Sequence, residues 1–308
     1  MFKRLSPTTL AHLLLLAVVF VWGTTFVLVK DALQDASPLL FNLLRMGLAF
    51  VALAIVNHRQ LRRISRHALF SGLVVGLFLA AGYQFQVAGL ARTTPAKSAF
   101  ITGLVVVFVP LFTVIPALRP ANTPPPRSTT AIGALLAFSG LLLLTTPTGT
   151  SPQNLFGSIG IGDLLTLACA MAFAGHLLAL AHTSSRVPTG QLATLQIGVA
   201  ALIMAITLPL GGRPHLSITP RLVIALAVTS LLATAAAFTI QSWSQQHLPP
   251  THTAILLTLE PVFACLTSFL VLHEHLGRRS LLGAALILAG IALTELLSSA
   301  APLPIHPD

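Results

Sequence analysis

Two stretches of the sequence decide the fold when they are set side by side: residues 83–108 (YQFQVAGLARTTPAKSAFITGLVVVF) and residues 238–263 (FTIQSWSQQHLPPTHTAILLTLEPVF). They align at an offset of 155 positions without a gap. Gln86 then meets Gln241, and a proline follows nine positions later in each copy. Leucine and alanine matches arise by chance in so apolar a chain, so the glutamines and prolines decide the comparison. The chain therefore contains an internal repeat.

A shorter match extends the repeat to the end of each half. Gly133 and Gly140 meet Gly283 and Gly290 at an offset of 150 positions. A spacing of seven residues is about two helical turns, so each pair lies on one helix face. Small residues on one face allow two helices to approach closely within a membrane.

The composition is that of a membrane protein. The chain has 308 residues, of which 55% are hydrophobic and only 8% are charged, whereas soluble domains carry about 25% charged residues. This excludes a soluble enzyme, a disordered chain and a coiled coil. The net charge of +10 predicts loop charges at the surface of a lipid bilayer. No polar domain presents these charges, so we expect no nucleic-acid partner.

The hydropathy pattern predicts ten membrane spans, because one span needs about 20 mostly apolar residues. The predicted spans are residues 10–29, 38–56, 68–90, 96–118, 129–146, 160–181, 190–210, 221–243, 252–272 and 280–298. Each repeat has five helices, an odd number, so the second copy begins on the opposite side of the membrane. The predicted fold class is an all-α integral membrane protein with ten transmembrane helices built from two inverted five-helix repeats.

The predicted organisation follows the repeat. Residues 1–127 hold helices 1–4 of the first repeat, residues 128–148 hold helix 5, and residues 149–308 hold the second repeat and a short tail. Lysines and arginines of the early loops collect on the N-terminal side, which predicts cytoplasmic N- and C-termini. Arginines in the second half, such as Arg278 and Arg279, fall on the opposite side. The orientation of the second half therefore stays open.

Several ordered motifs resemble the EamA type of the drug/metabolite transporter superfamily. They are Trp22-Gly23-Thr24-Thr25-Phe26 ending in Lys30, Arg45, the run from Tyr83 to Leu104, Glu260-Pro261-Val262-Phe263-Ala264 followed by Glu274, and Gly283 with Gly290. The resemblance covers nearly the whole chain. It departs in the sixth span, which reads Met171-Ala172-Phe173-Ala174-Gly175-His176, where members of the family often carry tryptophan or tyrosine.

The resemblance implies a secondary transporter, an exporter of small metabolites such as amino acids. It would work by alternating access in a bacterial inner membrane, as a monomer or homodimer, with or without proton coupling. An uncoupled facilitator is the nearest alternative. A membrane enzyme acting on lipid is a further alternative, but the sequence offers no nucleophile–base pair. Substrate, direction and coupling ion stay open.

Two charged residues lie within predicted spans, where charge is costly and marks function. Arg45 could hold a substrate carboxylate with its forked donors, or its side chain could extend to the surface. Glu260 is the proton-coupling candidate, because burial of a carboxyl group favours its protonated form. Its alternative is a structural pairing with a backbone donor or an arginine. An ion pair between Arg45 and Glu260 would account for both residues.

Polar and aromatic residues complete the candidate translocation site. Gln86 and Gln241 suit a polar substrate, or they could hydrogen-bond between helices. His176 and Gln196 carry the same two interpretations. Trp22 and Tyr83 lie deeper than interfacial anchors and could line a cavity.

No cofactor or metal is expected. The run His273-Glu274-His275 places its members two residues apart, on different sides of a helix. Two cysteines within apolar runs form neither a disulfide framework nor a zinc pattern.

Overall fold

The structure is a computed structural model that describes residues 6–120, 125, 127–145, 159–257, 259–272 and 277–298. The α-helices are α1 (Pro7–Ala32), α2 (Pro38–Val56), α3 (His58–Leu61), α4 (Arg66–Leu90), α5 (Pro95–Thr102), α6 (Val105–Thr113), α7 (Ser128–Thr145), α8 (Ile161–Thr183), α9 (Thr189–Thr207), α10 (Pro220–Ala227), α11 (Ala237–Ser244), α12 (Pro250–Leu257), α13 (Leu259–Leu272) and α14 (Arg278–Ser298). Within these ranges the only β-pairing is an isolated antiparallel bridge between Ala36 and Leu216.

Six helical segments are long and apolar enough to cross a membrane by length and composition. They are Pro7–Ala32, Pro38–Val56, Arg66–Leu90, Ile161–Thr183, Thr189–Gly211 and Pro220–Ser244. These six segments coincide with six of the predicted spans. Of the other four predicted spans, the fourth contains α5 and α6, the fifth contains α7, the ninth contains α12 and α13, and the tenth contains α14. The structure is thus an all-helical membrane protein.

Local chemistry sets where the helices begin. Five of them start with proline at the first position, where the missing N–H costs no hydrogen bond. The side chain of Ser6 accepts a hydrogen bond from the amide of Thr9, and Thr94 and Thr219 cap α5 and α10 in the same way. Serine and threonine are favoured there because they satisfy free amides of the first turn.

Two predicted spans differ in detail from the structure. The fourth, predicted as continuous over 96–118, is interrupted between α5 and α6 at Gly103 and Leu104 and ends as an α-helix at Thr113. The eighth contains a π-helical segment over Val228–Ala236 between α10 and α11. A π-helical turn widens the backbone spiral and leaves carbonyls open to other donors.

Helices α7 and α14 pack against each other through the repeated glycines. A Cβ atom added to Gly140 would lie 2.5 Å from the carbonyl oxygen of Gly283, and one added to Gly290 would lie 2.5 Å from that of Gly133. The two contacts are reciprocal. The predicted close approach of these helices is therefore present.

The bundle has two ends that differ in how the halves of the chain are joined. At the Asp35 end (residues 30–37, 90–97, 160–163 and 207–221), Lys97 Nζ lies 2.6 Å from Asp163 Oδ2, and Arg221 Nε lies 2.7 Å from Asp35 Oδ2. At the Asn57 end (residues 57–66, 183–191 and 244–250), the links described are neutral. The Asn57 amide donates to Thr194 Oγ1 there, and Gln191 donates to backbone carbonyls of residues 60 and 63.

Candidate functional site

A cavity lies among α1, α2, α4, α5, α6, α8, α11, α12 and α13. Seven of the eight candidate residues line it, and Gln196 does not. The cavity is lined by Trp22, Thr25, Phe26, Val29, Arg45, Tyr83, Gln86, Leu90, Thr102, Gly103, Val105, Phe173, His176, Leu177, Phe238, Gln241, Leu257 and Glu260. A mostly apolar wall with a few convergent polar groups is typical of a small-molecule site.

Arg45 is buried at the cavity wall and does not extend to the surface, since only 4% of it is exposed. Its Nε donates to Thr234 Oγ1 at 2.7 Å, and its Nη2 donates to the Tyr83 hydroxyl at 3.0 Å and to the Ala233 carbonyl at 3.2 Å. The guanidinium carbon also lies 4.4 Å from the centre of the Tyr83 ring. These contacts hold the guanidinium in place without neutralising its charge.

The π-helical segment supplies the oxygen that fixes two cavity residues. Trp22 Nε1 donates to the carbonyl of Ala233 at 2.7 Å, the same carbonyl that Arg45 reaches. The widened turn in α10–α11 thus anchors side chains from α1 and α2. No pattern in the sequence indicated this segment or Thr234, because alanine, threonine and leucine follow one another there without a turn residue.

Glu260 lies at the start of α13, 8% exposed, and lines the cavity. The structure shows no ion pair between Glu260 and Arg45 within 4.0 Å; the two side-chain ion pairs of the described residues are at the Asp35 end. Gly23 makes this placement possible, because a Cβ atom there would lie 2.7 Å from the Glu260 carbonyl oxygen and 2.6 Å from Phe263 Cβ. A glycine in α1 therefore brings α13 and its acid against the cavity.

The two glutamines of the repeat face the cavity and not a neighbouring helix. The side chains of Gln86 and Gln241 have no hydrogen bond to the described residues, and Gln241 Oε1 is buried without a partner. Helix-to-helix bonds come instead from their neighbours: Gln84 Nε2 donates to Thr207 Oγ1, and Gln245 Nε2 donates to the Leu177 carbonyl. An unpaired buried amide is costly unless a ligand or water meets it.

His176 and Gln196 form a pair in which only the histidine reaches the cavity. His176 Nε2 lies 2.8 Å from Gln196 Oε1, and Gln196 Nε2 donates to Ser242 Oγ at 3.0 Å. Both residues are almost fully buried. Gln196 therefore stands behind His176, so its predicted place in the cavity wall is not what the structure shows.

Aromatic rings surround these polar groups. The ring of Phe238 lies 5.4 Å from that of Trp22, 5.9 Å from that of Tyr83 and 5.6 Å from that of His176. The Phe173 ring meets Tyr83 edge to face at 5.3 Å. Sequence reasoning missed both phenylalanines, although Phe238 lies 155 positions after Tyr83 and the repeat could have indicated it.

Among the described residues no group of three or more histidine, cysteine, aspartate or glutamate side chains could hold a metal. The run of residues 273–275 lies outside the described residues. At the bundle end, hydrogen bonds from Arg221 and Thr219 lower the pKa of the Asp35 carboxyl to about 2. This acid is therefore a structural anion and not a proton carrier near neutral pH.

Comparisons with known proteins agree with the repeat and the fold. The EamA-like transporter family matches the chain twice, over residues 9–146 and 160–296. An uncharacterized transporter of Archaeoglobus fulgidus is 32% identical over 286 residues, covering 93% of this chain and 86% of its own. An uncharacterized transporter of Bacillus subtilis is 24% identical, covering 90% and 94%. A WAT1-related chloroplastic protein of Arabidopsis thaliana is 29% identical, covering 94% and 70%.

A solved crystal structure has the same fold, with a TM-score of 0.72 at 19% identity. The match covers 94% of this chain and 98% of that structure. With the family match over both halves and the apolar helices of membrane length, the conclusion is that the chain belongs to the EamA-like transporter family of multi-pass membrane proteins.

Proposed function

We propose that this protein is a secondary transporter that exports a small zwitterionic metabolite such as an amino acid by alternating access, coupled to protons. The observation that carries the proposal is the cavity, in which a buried arginine and a buried acid face one space without pairing. Such a pair of opposite charges suits a solute that carries a carboxylate and an ammonium group.

The proposed architecture is ten helices in two inverted repeats, with both termini in the cytoplasm of a bacterium. Three observations support it: the family match falls once on each half, Pro95 and Pro250 both begin helices, and the glycine contacts of α7 and α14 are reciprocal. Inverted repeats suit alternating access because the halves exchange roles between the two open states. The site residues proposed are Trp22, Arg45, Tyr83, Gln86, His176, Gln241 and Glu260, with Gln196 in support.

Proton coupling is assigned to Glu260. An ionised carboxylate buried without a counter-ion is costly, so either a proton or a bound cation relieves the cost. The other titratable side chains that line the cavity are Arg45, Tyr83 and His176. Of these, Arg45 and Tyr83 hydrogen-bond each other and His176 hydrogen-bonds Gln196, which leaves Glu260 to exchange a proton for a substrate ammonium group.

The test is flux from proteoliposomes loaded with a panel of labelled amino acids, with and without an imposed pH gradient. We expect efflux that a pH gradient accelerates. Absence of flux for every solute would contradict the transporter, and flux indifferent to the gradient would remove the coupling alone. Uniport is the second candidate and corresponds to that last outcome.

Glu260→Gln identifies the coupling residue. We expect the variant to fold, to retain some solute flux and to lose the response to the pH gradient. Asp31→Asn is the matched control, because Asp31 lies near the end of α1 outside the cavity lining and should leave the response intact. An unchanged response in Glu260→Gln would assign coupling to another group.

A further inference from the structure

A chain of three hydrogen bonds behind the cavity wall leads from α11 to His176. Ser242 Oγ donates to the carbonyl oxygen of Phe238 at 2.6 Å. Gln196 Nε2 donates to Ser242 Oγ at 3.0 Å, and Gln196 Oε1 lies 2.8 Å from His176 Nε2. The chain thus connects α11, α9 and α8 and ends on a cavity residue.

The direction of this chain fixes the hydrogen on the histidine ring. A backbone carbonyl only accepts hydrogen bonds, so the Ser242 hydroxyl donates its single hydrogen to the Phe238 carbonyl. Ser242 Oγ must then accept from the Gln196 amide. The amide then presents its carbonyl oxygen to His176, which must donate from Nε2. In a neutral imidazole, a hydrogen on Nε2 leaves Nδ1 as an acceptor. Burial away from water favours that neutral ring.

His176 carries this acceptor at the wall of the cavity, which it lines. His176 is 1% exposed yet lines the cavity, and no hydrogen bond to its Nδ1 exists among the described residues. The Phe238 ring meets the imidazole edge to face, with an interplanar angle of 88°, and restricts its rotation. A ring nitrogen with no described hydrogen bond, on a residue that lines a cavity, is a place for a ligand hydrogen.

We propose that His176 Nδ1 is a hydrogen-bond acceptor for the transported solute, and that Gln196 and Ser242 are positioning residues that set its tautomer. The solute part rests on the proposed function, whereas the tautomer does not. Arg45 offers donors on one wall and His176 an acceptor on another. The cavity therefore selects solutes with an N–H or O–H group over analogues of equal shape that carry a carbonyl there.

The tautomer is tested by ¹⁵N nuclear magnetic resonance of the full chain, labelled at histidine and held in lipid nanodiscs. The resonances of His176 are those absent from His176→Gln. We expect a protonated Nε2 and an unprotonated Nδ1. Ser242→Ala frees the Gln196 amide to turn and should give a mixture of tautomers, whereas Ser242→Thr keeps the hydroxyl and should restore the wild-type spectrum.

Two results overturn the tautomer assignment. One is a protonated Nδ1 in the wild-type protein. The other is a Ser242→Ala spectrum identical to wild type in a sample with the same melting temperature. Neither result depends on knowing the transported solute, so the tautomer can be tested even when no flux is found.

Solute selection is tested with two probes in proteoliposomes, L-leucine and its 2-oxo acid, 4-methyl-2-oxopentanoate. The oxo acid replaces the amine donor by an acceptor, so we expect wild type to prefer leucine by about tenfold or more. His176→Phe should reduce that preference while keeping the oxo acid flux, and part of the preference should remain because the proposed function assigns the same ammonium group to Glu260. An undiminished preference in His176→Phe overturns the proposal, whereas absence of flux for every solute of the amino-acid panel overturns the proposed function.

Discussion

The two halves of the chain supply the cavity with the same positions and different chemistry. Gln86 and Gln241 lie 155 positions apart, and both face the cavity. Val105 of the first half and Glu260 of the second half are also 155 positions apart, and both line the cavity. Duplication thus accounts for where side chains point, and later substitution accounts for their charge.

The cationic side of the cavity shows the same divergence. Helices α2 and α9 each have 19 residues. Arg45 occupies the eighth position of α2, and Gln196 occupies the eighth position of α9. One is a cavity cation and the other supports a cavity histidine. The first half therefore contributes the cation and the second half the acid, so the cavity has both charges only when the two halves combine.

Exchanging the acid between the halves has the largest expected effect. Glu260→Val should abolish the response of efflux to a pH gradient. Adding Val105→Glu to that variant should restore part of the response, because both positions line the same cavity. The control adds Val105→Gln, which has similar size and no titratable group. Equal responses from the two double variants would show that the positions are not equivalent.

Substituting the repeated glycines has an intermediate effect on stability. Gly140→Ala and Gly290→Ala each place a Cβ atom 2.5 Å from a backbone oxygen of the partner helix, so each should lower the free energy of unfolding by about 1–3 kcal/mol. If the halves are equivalent there, the two losses are similar. Denaturant unfolding in detergent measures them.

Gly47→Ala is the matched control for both variants. Nothing lies within 4 Å of a Cβ atom added to Gly47 in α2. Alanine there should be neutral or stabilise the protein by about 0.4–1 kcal/mol. Destabilisation of the same size in all three variants would contradict the packing contact between α7 and α14 as the cause of the loss.

Neutralising Asp35 has the smallest expected effect. Hydrogen bonds from Arg221 and Thr219 hold the pKa of Asp35 at about 2, below its ordinary value of about 3.9. The ion pair between Asp35 and Arg221 therefore stabilises the fold fully above pH ~4, and this stabilisation is lost as the pH falls towards 2. Asp35→Asn should therefore lower the melting temperature at pH 7. The difference from wild type should shrink below pH ~4, and a constant difference across that range would contradict the assignment.

Six of the ten predicted spans coincide with helices of membrane length, because such helices are long apolar runs that the sequence displays directly. Seven of the eight candidate site residues line one cavity, since charged side chains, tryptophan and tyrosine are rare in this chain. Gln196 could not be separated from the lining, because a buried glutamine that faces the cavity and one that faces a lining residue leave the same pattern in the sequence.

Other features depended on contacts that no local pattern encodes. The unpaired state of Arg45 and Glu260 is a distance between two helices that are far apart in sequence. The π-helical segment Val228–Ala236 has the composition of an ordinary apolar helix. Its role becomes visible only through the donors of Trp22 and Arg45, which converge on one carbonyl.

The two ion pairs at the Asp35 end each join a residue of the first half to a residue of the second, while the links described at the Asn57 end are neutral. Dissolved electrolyte screens exposed charges over a range of about 10 Å at 0.1 M, and it screens partly buried pairs less. The charged links at the Asp35 end are therefore open to some weakening by salt, whereas the neutral links described at the Asn57 end are not. The two ends of the bundle thus differ in their response to ionic strength before any solute or proton binds.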